Sequence, residues 1–294
     1  MLLSLKILLK SIVDYAGLFP PAKLSMTEAI ANYARYQQTQ ENWMLGHFVV
    51  PLSRLTELEQ CLVNLAVEDT LFAPRSLSVI LSENWRSQLK QIQAFNSDKL
   101  RIAAVEFKPL PPEEIKRAIV ELPQGIESFF EIPLAENPAS YLAVLENAPA
   151  AAKIRTGGLT VEAFPDVDRL GQFIFACAKT KVPFKATAGL HHPLFGNYSV
   201  SDEPNSLTTT MQGFLNLSIL STLIYWQQVT LEEARKLLQE LSISNFQFQA
   251  DQIIWQNYQV KRSQIQQARQ HFFRSFGSCS FQEPLDELRE LTLL

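Results

Sequence analysis

The chain has 294 residues, 47% of them hydrophobic and 19% charged, with a formal net charge of −4. That composition suits one large folded domain, offers no global basic field to nucleic acid, and contains no apolar run long enough to span a bilayer. Three scattered cysteines, Cys61, Cys177 and Cys279, form no Cys-x-x-Cys pair, which favours a reducing, cytoplasmic setting over a disulfide scaffold.

Lys6 and Lys10 stand four apart in an otherwise apolar start, so a short amphipathic helix over 1–12 is predicted rather than a secretion signal. A first strand follows from Val13 to Phe19 and stops at Pro20-Pro21. Ser25-Met-Thr-Glu28 has the spacing of a capping box for a helix from Met26 to Gln38. Gly46 to Val50 reads as a second strand, with Ser53 capping a helix to Leu65. Leu77 to Leu81 is a third strand, followed by a helix from Asn84 to Phe95. Arg101 to Phe107 is a fourth, and Pro111-Pro112-Glu-Glu opens the next helix with proline in its first turn. Ser128 to Ile132 and Ala151 to Arg155 are the fifth and sixth strands, followed by helices from Pro138 to Glu146 and Asp166 to Lys179. Pro183 to Ala188 is the seventh strand. The loop from His191 to Thr210 is long enough to be functional. Helices are expected from Met211 to Gln227 and Leu231 to Leu241, and Phe246 to Trp255 alternates like a strand or a hairpin about Ala250-Asp251. A last long helix runs from Ser263 to Arg274. Phe276 to Pro284 reads as a loop before a short terminal helix, so 275–294 forms a C-terminal extension.

Strands alternating with crossover helices imply parallel pairing, and seven or eight such units close into a (β/α)₈ TIM-like barrel. An open doubly wound sheet is the alternative, but no Gly-x-Gly-x-x-Gly turn follows the first strand. One domain over 1–294 is the simplest organisation.

Strands of a parallel barrel are buried on both faces and should be apolar. Here Glu106, Glu131, Lys153, Arg155, Lys185 and Thr187 lie in or near strand ends, where barrel active sites sit. Alternation places Lys153, Arg155 and Gly157 on one side of the sixth strand, and Lys185, Thr187 and Gly189 on one side of the seventh. Two lysines at equivalent levels on neighbouring strands should depress each other's pKa, and burial should add to the effect. A neutral lysine is a nucleophile toward carbonyls.

Lys153-Ile-Arg-Thr-Gly-Gly158 and Lys185-Ala-Thr-Ala-Gly189 resemble the paired lysine strands of the deoxyribose-phosphate aldolase family and related class I aldolases. The resemblance implies a Schiff-base lysine at Lys153, a tuning lysine at Lys185, an acidic partner at Glu106 or Glu131, and phosphate contacts from Thr156, Gly157, Gly158 and Gly189. Arg155 replaces a small polar residue of that family and suggests an anionic ligand. Separately, Asp14-Tyr-Ala-Gly-Leu-Phe-Pro-Pro21, Gly189-Leu-His-His-Pro193 and Phe276-Gly-Ser-Cys-Ser-Phe281 resemble a bacterial family that brings no function with it.

The expectation is therefore a Schiff-base lyase acting on a small anionic carbonyl metabolite, with no cofactor, no resident metal and no nucleic-acid partner; a homo-oligomer is allowed. Asp14, at the first strand, is a candidate substrate contact beside Thr187, His191 and His192, and Tyr15 is either that or core. Two alternatives stand beside it. His191 or His192 could bind a metal with Glu106, Glu131 or Asp14, or the basic cluster could bind an anion or partner without catalysis. Cys279 has His271 near it in sequence but no recognised nucleophile signature.

Overall fold

The computed structural model describes residues 2–65, 76–200 and 206–294. Met1 of the predicted first helix and residues 201–205 of the predicted 191–210 loop lie outside them. The chain opens with α1 (Leu3–Leu9) and β1 (Val13–Tyr15). Six βα units follow: α2 (Met26–Gln37), β2 (Leu45–Pro51), α3 (Leu55–Leu65), β3 (Ser76–Ile80), α4 (Trp85–Ala94), β4 (Arg101–Phe107), α5 (Pro112–Val120), β5 (Glu127–Ile132), α6 (Ala139–Leu145), β6 (Ala151–Arg155), α7 (Val167–Lys179) and β7 (Phe184–Thr187).

A short antiparallel pair, β8 (Gly196–Ser199) and β9 (Thr208–Met211), fills what the sequence suggested was a plain loop. Then come α8 (Phe214–Tyr225) and α9 (Leu231–Leu238). A three-stranded antiparallel sheet follows, made of β10 (Phe246–Phe248), β11 (Gln252–Trp255) and β12 (Tyr258–Lys261), with its first hairpin turning at Ala250-Asp251 as expected. The chain ends with α10 (Arg262–His271), β13 (Phe273–Ser278) and α11 (Gln282–Glu290).

Eight parallel strands close into a barrel in the order β1-β13-β7-β6-β5-β4-β3-β2. The chain therefore folds as a (β/α)₈ barrel. No described helix is long and apolar enough to cross a membrane.

Local signals act where the sequence put them. Ser25 and Glu28 form the reciprocal capping box of α2, and Asp166 caps α7 through the Arg169 amide at 2.7 Å. α8 is buried along nearly its whole length, as an all-round apolar helix must be. Its one amide, Asn216, is fully satisfied: it donates to the Leu237 and Glu240 carbonyls and accepts from the Phe195 amide.

Three expectations are corrected. β1 stops at Tyr15 instead of Phe19, because the chain turns at Gly17 ahead of a cis Pro20-Pro21 bond. Ser53 does not cap α3; it lies inside a 3₁₀ turn, Leu52–Arg54, that runs directly into that helix. Most importantly, residues 275–278 are no extension. They belong to β13, the strand that closes the barrel, and α10 ends at His271 short of the predicted Arg274.

The core sits between the barrel wall and the helices. Outward strand residues such as Val13, Phe48, Val79, Val105, Phe130, Ile154, Phe184 and Phe276 join one large cluster with helix side chains. Burying each large apolar side chain contributes about 1.5–3 kcal/mol. Inside the barrel the apolar content shrinks to a separate group of Ala104, Phe129 and Ala151. Barrel interiors are usually packed with branched apolar residues; this one is filled largely by charge.

Candidate active site

β6 and β7 pair with Lys153 opposite Lys185, and β5 pairs with β6 so that Glu131 stands opposite Lys153. The matching levels read from the sequence are therefore real. What the sequence did not show is what stands between the lysines. Glu106 from β4 takes Lys185 Nζ on one oxygen at 2.7 Å and Lys153 Nζ on the other at 3.1 Å. Lys185 also meets Asp14 Oδ2 at 2.6 Å, and Lys153 meets Glu131 Oε2 at 3.0 Å. Arg155 Nε closes the row on Glu131 Oε1 at 3.1 Å.

The result is one alternating chain of charge, Asp14–Lys185–Glu106–Lys153–Glu131–Arg155. It is fully buried at the Lys185 end, and it surfaces at the C-terminal end of β6, where the Arg155 side chain is 45% exposed. Hydroxyls and an amide complete it. Ser275 of β13 donates to Asp14, Ser78 of β3 donates to Glu106, both at 2.7 Å, and the His47 amide donates to Asp14 Oδ1 at 2.9 Å. The Phe129 ring lies 5.1 Å from the Lys185 ammonium, a cation–π contact on one side of it.

These partners reverse the expected titration. Burial opposes the charge on Lys185, but the Asp14 and Glu106 carboxylates outweigh it and hold the ammonium above the ordinary lysine range. Burial likewise pushes Glu106 up, yet Lys185 and Lys153 pull it well below the usual carboxylate range. Asp14 is lowered by Lys185 and His47 against its own burial, and Glu131 by Lys153 and Arg155. Lys185 is thus a fixed cation, not a depressed amine.

The glycines have a packing reason to be there. A Cβ on Gly157 would stand 2.5 Å from the Gly189 Cα, and one on Gly189 would overlap the Thr156 carbonyl oxygen. Thr156, itself fully buried, donates to the Ala188 carbonyl at 2.5 Å. Gly158 sits against Ala163 in the same way. Together these contacts lock the loops after β6 and β7 to each other. Thr187 faces Gly277 of β13 across the next seam. Tyr15 is core: its ring packs against Tyr33, Tyr36 and Phe48.

His191 and His192 do not join Asp14, Glu106 or Glu131, so the metal set expected from the sequence is not assembled. Ala188 and Gly189 take φ of 61° and 74°, which turns the chain sharply after β7. The two imidazoles then meet α11 instead: His191 Nδ1 lies 2.7 Å from Glu283 Oε2, and His192 Nδ1 lies 2.5 Å from Glu287 Oε1. Among the described residues, His192, Glu283 and Glu287 bring ligand atoms within 4.8 Å of one another. His191 Nε2 lies 4.0 Å from Cys279 Sγ, whereas His271, the histidine nearer to Cys279 in sequence, is exposed at the end of α10. Glu283 and Glu287, one helical turn apart, carried a legible sign of a shared face; Ser78, Ser275 and His47 carried only their polar character in strand positions.

A cavity of about 690 Å³ opens at the other end of the barrel, lined by residues near strand N-termini such as Leu45, Ser76, Glu127 and Arg274. It touches the charge network only at Asp14, with Ser275 beside it. The charge network thus spans the barrel interior, from Asp14 at this cavity to Arg155 at the C-terminal rim, where barrel active sites sit. No family model, no curated protein and no solved structure matches the chain.

Proposed function

We propose that this barrel is a Schiff-base lyase of the class I aldolase type, acting on a small carbonyl compound that carries a phosphate or carboxylate. One observation carries the reading: the Lys153 amine is held between two carboxylates, Glu106 at 3.1 Å and Glu131 at 3.0 Å, and opposite a lysine kept cationic. To attack a carbonyl, Lys153 must lose a proton; Glu106 is locked as a carboxylate by Lys185, so Glu131, toward the rim, is the carboxylate assigned to take it. The amine then adds to the carbonyl carbon, the resulting hydroxyl is protonated, and water leaves as the iminium forms. Glu131 takes the proton of the substrate hydroxyl one carbon beyond the breaking bond, that oxygen becomes the carbonyl of a departing aldehyde, and the electrons of the carbon–carbon bond flow into the iminium to give an enamine. Glu131 returns a proton to the enamine carbon, and water hydrolyses the new iminium to release the second product and Lys153. Lys185 stays charged and stabilises the carboxylate form of Glu106. Arg155, with its outer guanidinium nitrogens at the mouth, supports recognition of an anionic substituent.

Borohydride reduction in the presence of pyruvate, glycolaldehyde phosphate or acetaldehyde, followed by peptide mass analysis, tests this. An adduct on Lys153 is expected in the native protein and none in Lys153→Arg, whose guanidinium keeps the charge but forms no Schiff base. Absence of a Lys153 adduct across that panel would sink the reading.

A second reading, an anion-binding barrel without turnover, is favoured by the complete pairing of every charge in the row. In that case Lys153→Arg retains phosphate binding measured by calorimetry, and no adduct forms in either protein.

A further inference from the structure

We propose that Cys279, His191 and Glu283 form a thiol triad at the C-terminal rim, a second reactive centre that accepts acyl groups from small esters or thioesters. It is independent of the Schiff-base reading and shares none of its lysines.

Cys279 is the first residue after β13, and His191 follows β7, the strand that pairs with β13. The imidazole stands between the other two groups, with Nε2 4.0 Å from the sulfur and Nδ1 2.7 Å from the carboxylate. That order, a nucleophile, then a base, then a carboxylate that fixes the base, is the arrangement that activates a thiol. With Nδ1 turned to Glu283, Nε2 is the nitrogen that faces the thiol and exchanges a proton with it. The His191 side chain is only 15% exposed, so the pair is partly shielded from water.

Burial opposes a charge on His191, yet its hydrogen bonds to Cys279 and Glu283 outweigh it and push its pKa up to about 10. The N-terminus of α11 begins three residues beyond Cys279, and Ser280 is fixed there by the Ser278 hydroxyl and by the Glu283 amide. The other titratable groups facing the thiol are Tyr15 of β1 and Tyr36 of α2, both raised by burial and therefore neutral. His192 acts on the triad through Glu283.

The step is balanced without a further cofactor. The thiolate attacks the acyl carbon, a carbon–sulfur bond forms, and the bond to the leaving oxygen or sulfur breaks. The imidazolium gives its proton to the leaving group. Water, deprotonated by the now neutral His191, then splits the thioester, releasing a carboxylic acid and restoring the thiol.

The chain carries its own controls. Cys177 is wholly buried with a thiol pKa raised by desolvation, and the side-chain contact of Cys61 is the Thr27 hydroxyl at 3.8 Å. Iodoacetamide labelling of the full chain from pH 5 to 9, read by peptide mass, is the test. Cys279 should react at pH about 6 at least about tenfold faster than Cys61, and His191→Gln should remove that advantage. Glu283→Gln should reduce it, whereas His271→Gln should leave it intact. With p-nitrophenyl acetate, one acetyl group should appear on Cys279 and none in Cys279→Ser.

A Cys279 profile matching that of Cys61 in the native protein overturns the proposal without any variant. So does acetylation confined to lysines. Stoichiometric Zn²⁺ binding that blocks Cys279 and is lost in His192→Gln or Glu287→Gln overturns it in favour of a metal centre.

Discussion

Two sets of paired charges in this barrel use the same chemistry and lead to different behaviour. The row from Asp14 to Arg155 is enclosed except at Arg155, and its buried carboxylates and ammonium groups meet opposite charges, hydroxyls or the His47 amide. The rim cluster of His191, His192, Glu283 and Glu287 is partly exposed and ends on a thiol that no opposite charge neutralises. Enclosure holds Asp14, Glu106 and Lys185 in their charged forms, whereas the open cluster keeps groups that can exchange protons with a ligand. The difference teaches that the closed end of a charge chain acts as framework, and that reactivity belongs to its open end: Lys153 beside the exposed Arg155 in one set, Cys279 beside His191 in the other.

The sharpest way to break the contrast is Lys185→Met. It strands Asp14 and Glu106 in a dry interior, and a loss of about 3–5 kcal/mol is expected in urea denaturation. Combining it with Asp14→Asn should recover part of that loss, since the remaining charges then balance better. A cost no larger than a surface substitution would mean the row does not act as a unit.

The pH dependence of stability separates the two sets next. Asp14, Glu106 and Glu131 have folded pKa values below their unfolded ones. Their contribution is present above the unfolded value of about 4 and is lost as pH falls through the folded values. Lys185 works in the other direction, and its contribution is lost only above the ordinary lysine range. His191 is raised to about 10. Its contribution is complete below the unfolded value of about 6.5 and fades as pH climbs toward 10. Urea melts across pH should therefore show an alkaline decline that His191→Gln flattens and an acid decline that it reduces only by the share of Glu283, whose carboxyl His191 holds down.

The smallest effect belongs to a site remote from both. Ser25→Ala removes one half of the α2 capping box and should cost about 1 kcal/mol in the same melts, with no change in Cys279 labelling or lysine trapping.

Much of the barrel was legible because its outer wall obeys local rules. β4 and β6 fall where their apolar runs predicted, α2 begins at its predicted cap, and α7 starts one residue after the predicted Asp166. The eighth strand was not legible. Phe273 and Arg274 read as the end of a helix and Phe276 to Ser278 as a loop, because the inward positions, Ser275 and Gly277, are small to make room for Asp14 and Thr187. The level of the two lysines could be inferred from strand alternation, but not their partners. Lys185 reaches Glu106 across 79 residues of sequence and Asp14 across 171, and nothing in local spacing announces such pairs. For the same reason the sequence suggested mutual depression of two bare amines, where the fold supplies carboxylates between them.

β1 has β2 on one side and β13 on the other, so the barrel cannot close until the stretch from Phe273 to Ser278 has been synthesised. During synthesis the strands from β1 to β7 can associate only as an open trough, with β1 and β7 as its free edges. In most barrels such a trough would expose a greasy lining to the cell. Here the lining is Asp14, Lys185, Glu106 and Lys153, which water solvates well while the last strand is awaited. The polar interior therefore makes the half-built protein less sticky, and the closing strand expels that water in the final step of assembly.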